Sequence, residues 1–196
     1  MKSFFGILTA AFLGFFPGIF PENPEPLIAF SPRENREFLP RPSDADFSIE
    51  IFLTTDSEIS RRFFENSAVP LKNLLLEKSF PVAVIFRFLP TDDFSKKQIR
   101  DLACVEKFSK KWENWLAARE ILNSRKISAE IFGNFADDFQ KCRADETFDP
   151  AAENAAIARA AGISKIPTIK IGKRFLVGAM PPENLFFEIQ KHFSPR

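Results

Sequence analysis

The chain has 196 residues, enough for one domain with a tail or an insertion. Its 27 basic and 26 acidic residues nearly cancel, which argues against a broad electrostatic surface for nucleic acid or an anionic membrane. With two cysteines (Cys104 and Cys142) and one histidine (His192), a four-cysteine zinc site within one chain is impossible, and a multi-histidine metal site or a Ser-His-Asp triad is disfavoured.

Lys2 precedes an apolar run from Phe4 to Phe20, the pattern of an export signal or a short membrane anchor over residues 1–20. Pro17 and Gly18 interrupt its end, no clean small-x-small cleavage site follows, and a buried helix of the domain is the bland alternative. Residues 21–42 carry six prolines among polar residues and read as a semi-rigid tether. The folded domain is expected over 43–196.

Phe47 to Leu53 is β-rich and mostly apolar, as a buried strand would be. Thr55-Asp56-Ser57-Glu58 fits a capping box in which Thr55 caps a helix and Glu58 reaches back. Ile59, Phe63, Ser67, Leu71, Leu74 and Leu75 follow at helical spacing, with a kink predicted at Pro70. Pro81 to Phe88 is a second strand, so the unit predicts a parallel pair with a crossover helix.

Residues 92–161 read as helical over Lys96–Glu106, Lys110–Leu122, Ser128–Phe139 and Pro150–Ala161. Trp112 and Trp115 fall in this block and read as core residues rather than a substrate platform. Ile166 to Ile171 is a strand opening at a proline, Gly172-Lys173 a turn, and Arg174 to Val177 the hairpin partner. Pro181-Pro182 opens a last helix with Leu185, Phe186, Ile189 and Phe193 as its buried stripe. The order is βαβ, a helical block, then ββα: an α/β chain of thioredoxin-like order with a helical insertion at about 92–161.

Three segments carry a family resemblance. Residues 43–52 (SDADFSIEIF) resemble the first strand of DsbA-like disulfide oxidoreductases. Residues 161–168 (AGISKIPT) resemble that family's cis-proline loop, and residues 178–183 (GAMPPE) its approach to the last helix. The likeness spans about residues 43–193. It implies a DsbA-like thioredoxin fold, and it places Ser57-Glu58-Ile59-Ser60 where the family has Cys-x-x-Cys.

Disulfide exchange needs one thiolate to attack a sulfur and a second to resolve the mixed disulfide. A helix N-terminus assists by lowering the thiol pKa. A serine hydroxyl performs neither step. The resemblance also puts Ile51 where the family carries a buried acid, while strand alternation turns Glu50 to the other face. Ser57, Ser60 and Ile51 are thus expected to be degenerate catalytic positions, and no cofactor is implied. Cys104 and Cys142 lie where some relatives have a structural disulfide; one bridge, two buried thiols and a relocated redox pair are the three readings.

Two functions and a bland reading follow from the resemblance. The first is an exported, non-catalytic module that holds an extended or unfolded polypeptide through Ser57, Ser60, Ile166, Pro167 and Thr168, by strand-like main-chain contacts. The second is an enzyme like the kappa-class glutathione transferases, with Ser57 holding the glutathione sulfur. In the bland reading the old site is vestigial and the serines merely cap a helix. Neither function involves nucleic acid, and membrane contact would run through the N-terminal segment.

Overall fold

The protein was analysed as a computed structural model that describes residues 47–109 and 113–193. The expected leader (1–20), the tether (21–42), residues 43–46 and Trp112 lie outside the described residues.

Strand β1 (Phe47–Thr54) is the centre of the packing. Its alternation sends Ile49, Ile51 and Leu53 into the core with no exposed surface. Burying each such side chain contributes about 1.5–3 kcal/mol. β2 (Val82–Leu89) pairs parallel to β1 from Phe47↔Val82 to Thr54↔Leu89. β3 (Thr168–Ile171) lies antiparallel on the other side, with Phe52↔Thr168 in register. β4 (Arg174–Val177) closes a hairpin on β3, giving the strand order β2-β1-β3-β4. Gly172 turns that hairpin at φ +58, a conformation open to glycine.

Between β1 and β2 the chain forms α1 (Glu58–Phe63), a π-helical segment (Phe64–Ala68) and α2 (Val69–Glu77). The predicted kink at Pro70 is therefore a widened turn just before it. Proline lacks an N–H and crowds the carbonyl four residues back, and the π-segment relieves both problems. α2 packs against α8 (Pro182–Phe193), whose Leu185 and Ile189 are fully buried while Phe186 and Phe193 are half-buried.

The insertion contains α3 (Asp93–Phe108), α4 (Glu113–Ser124), α5 (Ala129–Phe132), a 3-10 turn (Gly133–Phe135), α6 (Ala136–Ala144) and α7 (Pro150–Ala160). α3 starts earlier than the sequence pattern suggests, because Asp92 and Ser95 form a reciprocal capping box. The single helix expected over 128–139 is broken at Gly133, where φ is +39. Trp115 is buried, its ring 4.7 Å from Phe86 and 5.8 Å from Phe64. A Cys104–Cys142 disulfide ties α3 to α6. Closing that loop contributes about 3–4 kcal/mol in the chain-entropy model.

The mixed α/β architecture is the thioredoxin-like arrangement with a helical insertion expected from the element order. Among the described residues no helix is long and apolar enough to cross a membrane.

Candidate functional site

The site forms where β1 gives way to α1. Thr55, the expected cap, is turned inward: it is buried, and its hydroxyl donates to Gln98 Oε1 on α3 at 2.6 Å. Ser57 is the cap instead. Its backbone is extended (φ −95, ψ 125), and its Oγ accepts from the Ser60 amide at 3.3 Å. Glu58 does not reach back over the cap. Its carboxylate accepts from the guanidinium groups of Arg61 and Arg62, and those bonds lower its pKa to about 2.

Ser60 has no exposed surface, and its Oγ accepts the backbone N–H of Thr54 at 3.1 Å. The hydroxyl therefore satisfies a buried donor at the strand end that would otherwise cost about 1–3 kcal/mol. Ser57 is half-buried, and Ile59 between them is 60% exposed. The N-terminal turn thus presents one accessible hydroxyl beside an apolar side chain.

The second half of the site precedes β3. The Ile166–Pro167 peptide bond is cis. Pro167 is buried, and its carbonyl accepts from the Gly178 amide at 2.8 Å. Thr168 is buried too, its hydroxyl donating to Lys165 O at 2.6 Å. Ile166 is half-buried and Val177, opposite Thr168 on β4, is exposed. Because Thr168 pairs with Phe52 near the end of β1, the proline loop sits at the end of the sheet from which α1 departs. Ser57, Ile59, Ile166 and Val177 are accessible at this end, beside the exposed charged side chains of Asp56, Glu58 and Lys165. The side chains of Ser60 and Thr168, and the carbonyl of Pro167, are engaged within the fold.

Ile51 is enclosed in the core, and Glu50 lies on the other side of the strand. There it meets Lys170 Nζ at 2.6 Å and Arg87 Nε at 3.2 Å. Burial would push the Glu50 carboxyl up, but the hydrogen bonds and charges of Lys170 and Arg87 outweigh it and hold it below its usual value. Arg87 also donates to Asn154 Oδ1 at 3.3 Å, and Asn154 donates to Phe88 O at 3.1 Å. This network joins β1, β2, β3 and α7. The sequence reading missed it, although an arginine inside an apolar strand was its visible sign.

No thiol is present among the described residues, since both cysteines are bridged. No group of three or more metal-ligating side chains is found there either. The Ser57 hydroxyl, flanked by the exposed Asp56 and Glu58 carboxylates and followed by exposed Ile59, gives this end of the sheet groups that can hold a ligand by shape and hydrogen bonds.

No protein-family model and no curated protein matches the chain. Solved structures do. The thiol-disulfide exchange protein alpha-DsbA2 of Wolbachia pipientis superposes with a TM-score of 0.59 at 18% identity, over 75% of this chain and 82% of that one. Proteus mirabilis ScsC superposes at 0.56 and 20% identity, over 76% and 68%. A periplasmic thioredoxin-like protein of Salmonella enterica serovar Typhimurium gives 0.54 at 16% identity, over 76% and 84%. These likenesses establish a DsbA-like thioredoxin fold.

Proposed function

We propose that this chain is a redox-inactive member of the DsbA-like group that binds extended or unfolded polypeptide outside the cytoplasm. The observation that carries the reading is the use made of the two serines. Ser57 caps α1 and Ser60 accepts the amide of Thr54, the last residue of β1, so the positions that resemble a Cys-x-x-Cys pair hold the backbone together. Neither hydroxyl can form or resolve a mixed disulfide.

The accessible apolar groups Ile59, Ile166 and Val177 flank this end of the sheet, and a peptide held by its main chain needs little more. An extracytoplasmic setting agrees with the Cys104–Cys142 bridge, since such bonds persist in oxidising compartments. It also agrees with the apolar N-terminal run and the proline-rich stretch after it.

The test is an NMR titration of the protein with an unfolded peptide, with glutathione in parallel. The expected result is shifts at Ser57, Ile59, Ile166 and Thr168 with peptide, and no catalysed insulin reduction. Shifts with glutathione alone favour the transferase-like reading. That reading has one support: Ser57 accepts a hydrogen bond but donates none among the described residues, so its proton is free for a sulfur. No shift with either ligand makes the site vestigial. Insulin reduction by the protein overturns the redox-inactive reading.

A further inference from the structure

A cavity of about 370 Å³ lies along β2, walled by β2, α3, α4 and α7 and lined by no residue of the proline loop. Its floor is apolar, built from Phe86, Phe88, Ile99, Leu102 and Phe148. Four charged side chains line it, and they are not equivalent. Arg87 is held by Glu50 and Asn154. Lys107 sits over the rings of Phe108 and Phe148, 5.4 and 5.7 Å from their centroids.

The two carboxylates, Glu106 and Glu153, have no hydrogen bond or ion pair among the described residues. Glu106 remains accessible, but the surrounding walls push its carboxyl above the usual value, with Arg87 pulling it back. A carboxylate at the mouth of an apolar cavity with no donor of its own is stabilised by a ligand that brings one. An apolar floor with a few placed polar groups at this volume is the make-up of a small-molecule site. Walls on several sides suit a compact ligand better than a passing strand.

We propose that this cavity binds a small organic cation, an ammonium or amidinium group on an apolar body of about one ring, with the cation at Glu106 and the body over Phe86 and Phe148. Glu153 adds longer-range attraction from α7. The site is independent of the peptide reading of the proline loop.

The test uses 2-phenylethylamine and benzamidine as ligands of the full chain, with 3-phenylpropionate as a size-matched anion, followed by calorimetry and by NMR of the Ala103, Ala118 and Ile99 methyls. Saturable binding of at least one amine is expected at about 1 mM or tighter, with no binding of the anion. E106Q, which leaves the shape intact, should weaken the amine about tenfold, the value of one charge-assisted contact. A103F, which fills the cavity with a ring, should abolish binding while α1 resonances stay in place. Failure of both amines to shift these methyls overturns the proposal, as does unchanged affinity in E106Q or equal binding of the anion.

Discussion

The end of the sheet at α1 and the helical insertion use their small polarisable groups in opposite ways. In the insertion two sulfurs meet from α3 and α6 and are locked into a covalent bond. At the sheet end two hydroxyls accept backbone amides within six residues of each other, and nothing covalent is made. Both arrangements fasten one element to another. The first links distant segments and acts chiefly on the unfolded chain. The second satisfies local donors and acts on the folded one. A thioredoxin-like scaffold can therefore keep sulfur for stability while its helix terminus is held by oxygen alone.

The largest expected effect comes from placing an acid in the core beside the site. Ile51→Glu places a carboxylate within the apolar core cluster, and should cost about 3–5 kcal/mol. A smaller loss in chemical denaturation would mean that this region tolerates charge, and would weaken the contrast. Removing the bridge with C104A/C142A should cost about 3–4 kcal/mol. Hydrogen exchange should then rise first in α3 and α6, with the amide resonances of Thr54 and Ser60 unmoved.

Ser60→Ala strands the Thr54 amide and should cost about 1–3 kcal/mol, seen as faster exchange at the end of β1. Ser57→Ala, which loses only an N-cap, should cost about 1 kcal/mol in thermal unfolding. If the two alanine variants are equal, the buried and half-buried hydroxyls are not distinguished by their surroundings as described.

Acid separates the same two regions. Glu50 on the sheet has its carboxyl lowered by Lys170 and Arg87, against the effect of burial. Its contribution is present above the ordinary value of 4.5 and is lost as pH falls through the lower folded value. Asp101, one turn before Cys104, is raised by burial despite Arg143 and Arg100. Its charged form is penalised in the fold, so protonation relieves the insertion as pH falls. Stability measured between pH 3 and 7 should show a shallower acid loss in E50Q and a steeper one in D101N.

The strands and the final hairpin were legible because they follow from short β-rich apolar runs and from the turn residues Gly172 and Lys173. The parallel pairing of β1 and β2 followed from a helix between two apolar strands. The helix cap was not legible in full. Thr55 and Ser57 both carry a hydroxyl before the helix, and the choice is made by Gln98, 43 residues away, which draws Thr55 inward. The π-segment replaced a simple kink because Pro70 fixes only that the helix must change there. Gly133 was a readable break that helical spacing on both sides concealed. The Glu50–Arg87–Lys170–Asn154 network brings four elements together, and no local pattern contains it.

The bridge has a further result for the chain after cutting. Residues 105–141 form a closed covalent ring with Cys104 and Cys142 at its neck. A protease that nicks one bond in that ring, at the exposed Arg125 or Lys126 for example, yields two polypeptides that remain one molecule. The nicked protein should migrate as an intact species until a reductant separates the fragments.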